Sequence, residues 1–222
     1  MKKLLSVIAG ILFIANSFAQ INEGKIKYNV SFSSSDPAMQ AQLSMLNGTS
    51  MTMHFSADFN RVEMNMGMFM TTKTIIDNKT KAGITLMDGM MGKKAMKIDN
   101  VTVPDEDGEE EADIQIEKTN DTKKIAGYKC TKYILTSEDG TANYWVTTEL
   151  DINKEGVKYM NSKVEGFPLE FEMSQQGMVM TFTATEVLKS LKGINKKEIF
   201  SMEIPEGYEL MSEDDLKKMG GM

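Results

Sequence analysis

Between Met51 and Met70 (MTMHFSADFNRVEMNMGMFM) methionine recurs at every second residue, not at helical spacing. On a β-strand, side chains two apart share a face. Met64, Met66, Met68 and Met70 are therefore expected along one side of one strand, and Met51, Met53 and Phe55 along one side of the strand before it. A soft, sulfur-rich wall of this kind suits an irregular core, a greasy ligand or a soft metal ion.

The rest of the chain repeats the strand signal. Gly24 to Phe32 alternates Ile26, Tyr28, Val30 and Phe32 with polar residues, which predicts a half-buried strand. Asp36 before Pro37 is an N-cap followed by proline at the first helical position, and Gly48 is a stop, so Ala38 to Leu46 is predicted as a short helix with Met39, Leu43 and Leu46 on one side. Further strands are expected at Met51 to Ala57, Arg61 to Met70, Thr72 to Asp77, Gly83 to Met87, Lys94 to Ile98, Ile114 to Lys118, Tyr128 to Ser137, Ala142 to Thr147, Phe167 to Ser174 and Met178 to Leu188. Glu138-Asp139-Gly140 and Gln175-Gln176-Gly177 read as hairpin turns. Glu198 to Ile204 reads as a final edge strand, and Ser212 with Asp215 as the capping box of a helix to Met219. Lys154 to Met160 has room for one helical turn or two, and the acidic run Pro104 to Asp113 reads as a solvated loop. Many strands with two or three short helices imply a mainly β, highly curved antiparallel sheet or partial barrel.

Residues 1 to 19 read as a secretory signal peptide: Lys2 and Lys3, an apolar run from Leu4 to Phe13, and small residues Ser17 and Ala19 before Gln20. The run is short for a membrane span, and no cysteine follows the cleavage point to take a lipid anchor. The expectation is a soluble, exported protein, periplasmic where the host has two membranes. Residues 20–222 fall within the size of one β domain.

Composition excludes several functions. A net charge of −7 and a pI near 4.9 leave no basic face for nucleic acid. His54 is the single histidine, and alternation places it opposite Met51, Met53 and Phe55, away from any candidate triad. No His/Cys cluster offers a zinc site, and Gly108 falls at the wrong place for a calcium loop. Cys130, the lone cysteine, alternates with buried-type neighbours and reads as an inert core thiol. Neither catalysis nor a cofactor is expected.

The methionines therefore carry three readings. They fill a core, in a structural module of the cell envelope. They capture copper(I) or silver through Met-x-Met pairs. Or they line the concave side of the sheet as a cavity for a hydrophobic small molecule or acyl chain, built from Met51, Met53, Phe55, Met64, Met66, Met68 and Met70 with Phe171, Met173, Met180 and Phe182.

The hairpin Phe55 to Met64, the Ile75-Ile76-Asp77-Asn78 turn and the closing Phe200 to Tyr208 segment, with its Ile-Pro-x-Gly-Tyr ending, resemble the exported bacterial domain-of-unknown-function family 4412. That family is similar to the LolA-type lipoprotein carriers. The resemblance implies an unclosed half-barrel with short helices as a lid over a cavity for acyl chains, and a lipoprotein or envelope protein as partner. It also implies that Arg61, the only arginine, matches the carrier arginine that helps hold the lid shut. The expectation drawn from all of this is a non-enzymatic periplasmic protein that binds a hydrophobic ligand behind the gate formed by Ala38 to Leu46.

Overall fold

The computed structural model describes residues 21–90, 92–99, 114–138, 140–152, 164–175 and 177–212. The expected signal peptide, the acidic run Pro104 to Asp113, the turns at Lys154 to Met160 and the helix ending at Met219 lie outside or largely outside these residues.

Alternation decides the architecture. The elements in chain order are β1 (Gly24–Ser34), α1 (Pro37–Leu43), a 3-10 turn (Ser44–Leu46), β2 (Ser50–Phe55), β3 (Phe59–Asn65), β4 (Met70–Asp77), β5 (Gly83–Gly89), β6 (Gly92–Ile98), β7 (Gln115–Ile125), β8 (Tyr128–Ser137), β9 (Gly140–Thr147), β10 (Phe167–Gln175), β11 (Met178–Leu188), α2 (Lys196–Ile199) and β12 (Glu209–Leu210). The strands form one open sheet in the order β12-β6-β5-β4-β3-β2-β1-β11-β10-β9-β8-β7. Every named pairing is antiparallel except that of β12 with β6. The mainly β, curved, unclosed sheet expected from the sequence is thus the fold.

One continuous inner face holds the larger core. Register aligns Tyr144 with Phe171, Phe171 with Phe182, Phe182 with Val30, Tyr28 with Met51 and Met51 with Met64, so their side chains share that face across six strands. Phe171 is stacked on Phe182 at 4.6 Å, with the Tyr28 ring edge-on at 5.8 Å. The sheet curls about this face until β7 comes back into contact with β11. The Tyr28 hydroxyl, buried within, donates to the Pro168 carbonyl at 3.1 Å, and burial pushes the phenol well above its ordinary pKa.

The outer face of β9 to β11 is polar. Lys123 lies over the Trp145 ring at 4.3 Å and pairs with Glu170 at 2.7 Å, and Glu172 accepts from the Asn143 backbone and side-chain amides at 2.9 and 2.6 Å.

At the other end of the sheet the faces exchange roles. Ile75, Ile84, Leu86 and Ala95 form a second core on the outer side of β4 to β6, covered by Phe59, Met202, Ile204 and Tyr208. Apart from Phe59 of β3, the cover comes from the C-terminal segment. This overturns the edge strand expected at Glu198 to Ile204. Asn195 starts the single turn α2 instead, with the Ile199 amide donating to the Asn195 carbonyl at 3.1 Å. Phe200 then stacks on Phe59 at 5.7 Å. The alternating apolar residues are buried by lying across a sheet face, which removes more apolar surface from water than edge pairing does. Only at β12 does the chain join the sheet edge, beside Lys94 and Ala95.

Two other expectations change. The strand foreseen from Arg61 to Met70 stops at Asn65, because the Asn65 side chain accepts from the Gly67 amide at 2.8 Å and Gly67 takes φ +64°. Conversely β7 runs on past Lys118 to Ile125, across an irregularity before Thr122. The helix is α1 extended by the 3-10 turn, capped as foreseen: the Asp36 carboxylate accepts from the Ala38 amide at 2.8 Å, and Gly48 adopts φ +89°.

Candidate functional site

The proposed lining residues divide by depth. Met51, Met53, Phe55, Phe171 and Phe182 are all buried in the packed inner core, Met53 at 2% exposure. They are filled core, so the cavity expected between them is occupied by their own side chains. Met64, Met173 and Met180 are half-buried and pack on the upper margin of that core. Met66 and Met70 are half-buried at the β3–β4 turn, where the Met66 amide donates to the Met70 carbonyl at 2.8 Å. Met68 sits at the tip of the turn and is 86% exposed, so it lines nothing.

Beyond that margin the inner face continues onto β4, β5 and β6. Register places Thr72, Thr74 and Ile76 beside Met64, Val62 and Asn60, and sets Thr85 and Met87 opposite Thr74 and Thr72 and Met96 opposite Thr85. All these β4 to β6 side chains are half-buried, and none belongs to either core cluster. The Thr74 and Thr85 hydroxyls pair with each other at 3.0 Å, which satisfies two polar groups across the strands. Charge is segregated: Lys73, Asp77, Asp88, Lys93 and Lys97 occupy the opposite register, and Lys94 is the inner-face exception. The result is a shallow, methionine- and threonine-surfaced trough whose charged member, Lys94, lies on β6 at its edge and pairs with Glu209. Met87 and Met96 were absent from the expected lining, because the apolar alternation of Ile84 and Leu86 puts them on the face that Thr85 shares.

Arg61 lies on the other side of the sheet. Its Nη1 donates to the Ile199 carbonyl at 3.0 Å and its Nη2 pairs with Glu63, so it fastens α2 to the outer face and does not contact the helix of residues 37–46. The lid contact inferred for it is corrected accordingly. His54 is its neighbour in register, opposite the Met51 face as expected. Desolvation, then the charges of Arg61 and Lys25, hold the His54 imidazole below its usual pKa, and His54 Nδ1 and Arg61 Nε are buried without hydrogen-bond partners.

Cys130 is fully buried, and desolvation raises its thiol to about 11, which keeps it protonated and unreactive. A separate cleft of about 180 Å³ lies near Lys118, Lys129, Tyr133, Glu149 and Glu165. Within it Lys118 faces Glu165 at 3.9 Å and the Tyr133 ring at 5.5 Å, and Glu149 accepts from the Lys129 backbone amide at 3.1 Å. Among the described residues there is no group of three His, Cys, Asp or Glu side chains placed to hold a metal ion, and no helix is long and apolar enough to cross a membrane.

Among solved structures, two crystal structures of PNGF-II are similar at 13% and 16% identity, each with a TM-score of 0.46, over 88% and 90% of this chain and 32% and 33% of theirs. The chain therefore spans about a third of the PNGF-II structures it matches. A LolA superfamily protein, NE2245 from Nitrosomonas europaea, aligns at 10% identity with a TM-score of 0.20, over 75% of this chain and 86% of its own. No curated protein matches the sequence. Residues 37–208, from the first turn of α1 to the Tyr208 that covers the outer core, match the family model described as a domain of unknown function, DUF4412, and the chain belongs to that family.

Proposed function

We propose that this is a non-enzymatic, exported binding protein that holds a hydrophobic ligand of the acyl-chain class in the trough over the inner face of β3 to β6. One observation carries the reading. The outer side of β4 to β6 is sealed by the protein's own C-terminal segment, while the inner side of the same strands presents half-buried Met64, Thr74, Met87 and Met96 with no second layer over them among the described residues. A sheet face that carries methionine, pairs its hydroxyls internally and keeps its charge on the reverse or, at Lys94, paired at the edge is built for apolar contact that need not be shape-specific. Binding would be driven by burial of methylene groups, at about 0.8 kcal/mol each. Met51, Met53, Phe55, Phe171 and Phe182 support the trough from below and do not touch the ligand.

Native mass spectrometry of the protein purified without detergent tests this. The expected result is a co-purifying mass in the acyl-lipid range that disappears in Met87→Asp and Met96→Asp but survives Lys124→Ala on the exposed part of β7. A protein that carries no such mass and takes up none from added fatty acid or phospholipid would overturn the reading, and one that takes up copper(I) instead would assign the methionines to metal.

A further inference from the structure

The inner face of β3 to β6 ends at one edge of the sheet, and the side chains on that rim are unusual. Strand directions bring the α1–β2 connection, the β3–β4 turn and the β5–β6 turn to the same end, since Ser50 pairs with Asn65 and Met70 with Gly89. The large apolar residues left exposed there are Met45 at 66%, Met68 at 86% and Met90 at 84%. We propose that these three turns form a membrane-docking surface, which sinks its methionines into the interfacial layer of a lipid bilayer.

Charge is the first argument. In a chain with 26% charged residues, segments 37–57 and 64–72 contain no Asp, Glu, Lys or Arg, and the β5–β6 turn is flanked by Asp88 and Lys93, which pair with each other at 3.5 Å. The charges next to this rim are neutralised in pairs, Lys93 with Asp88 and Lys94 with Glu209, so it presents no net charge to a charged protein partner or an anionic headgroup. It can be dehydrated at little electrostatic cost.

Construction is the second argument. The methionines stand on fixed turns: the Thr49 hydroxyl donates to the Leu46 carbonyl at 2.7 Å, and the Asn65 side chain holds Gly67. The β3–β4 and β5–β6 turns are locked together, with the Met90 amide donating to the Phe69 carbonyl at 3.4 Å, and a Cβ on Gly89 would come within 2.6 Å of that carbonyl. Separate protrusions tipped with flexible thioethers fit a deformable acyl layer better than a complementary protein surface. Docking of this kind favours neutral lipid as much as acidic lipid and is insensitive to salt. It stands whether or not the trough takes a ligand.

The test places an environment-sensitive dye on Met68→Cys, or on Lys79→Cys at the opposite end of the same strands; Cys130 is buried and stays unlabelled in the folded protein. With vesicles of pure phosphatidylcholine, the dye at position 68 should shift to the blue and be quenched by brominated acyl chains, equally in low and high salt, while the dye at position 79 should not respond. Adding Met45→Asp and Met90→Asp should reduce the fraction of dye buried roughly tenfold or more, given the cost of exposing methionine, with unchanged circular dichroism. The proposal is overturned by a silent dye at position 68, by equal responses at both positions, by a response confined to anionic vesicles at low salt, or by a concentration-dependent shift without vesicles, which would assign the rim to self-association.

Discussion

The two arms of the sheet use the same alternation to opposite ends. From β1 through β8 by way of β11, the inner face is the buried one, closed on itself by stacked aromatic rings, and the outer face is polar and hydrogen-bonded. From β4 to β6 the outer face is the buried one, capped by residues 199–208, and the inner face is left half-open. The difference teaches that a strand's apolar parity does not say which layer will cover it. Ile75 and Ile84 in one arm and Ile26 and Val30 in the other are equally buried, on opposite sides of one continuous sheet.

The largest expected effect breaks the filled arm. Phe171→Ala removes the ring between Phe182 and Tyr28 and should cost about 3–5 kcal/mol in denaturant unfolding; a loss below 1 kcal/mol would show that this core is loosely packed. Next comes the cover of the open arm. Phe200→Ala, which deletes the stacking on Phe59, should cost about 3 kcal/mol, at the lower end of that range, because the core it empties is smaller. Its signature is local: amide exchange should quicken in β4 to β6 and not in β9 to β11.

Arg61→Leu should weaken the cover by about 1–3 kcal/mol, since the Ile199 carbonyl and Glu63 lose their shared donor. Equal exchange rates in both arms of that variant would show that the two arms unfold as one unit.

The smallest effect concerns pH. The folded state holds His54 below its ordinary value of 6.5, so folded protein binds fewer protons there than unfolded protein. Stability from this source is present above pH 6.5 and lost as pH falls through the lower folded value. His54→Gln should therefore flatten the decline between pH 7 and 5 measured by chemical denaturation, whereas Glu23 and Asp77, whose carboxylates are also lowered, act only at more acidic pH. An unchanged slope in the variant would remove His54 as its cause.

Much of this was legible in the residues. Tyr128–Ser137 and Met178–Leu188 begin and end where alternation and turn residues place them, and Asp36-Pro37 starts α1 as capping chemistry requires. Local rules suffice where a local contact decides. They fail where two local signals compete, as at Asn65-Met66-Gly67, where turn chemistry overrides the methionine alternation that runs through to Met70. They fail again where the deciding partner is remote: Arg61 meets Ile199 from 138 positions away, and no pattern near Arg61 announces it. The candidate site suffered in both ways. Its deepest members, Met53 and Phe171, are consumed by packing that only the assembled sheet creates, and its outer members, Met87 and Met96, sit among threonines that read as a solvated side.

The placement of β1 has a kinetic consequence. This strand lies between β2 and β11, so the first strand of the sheet completes its pairing only with the last long hairpin, Lys25 finding Leu188 and Ser34 finding Met178. Closing so long a loop is an entropic barrier that neighbouring hairpins do not face. The hairpins of each arm can form early, but the seam that unites the arms must wait until nearly the whole chain is available, and joining them should set the folding rate.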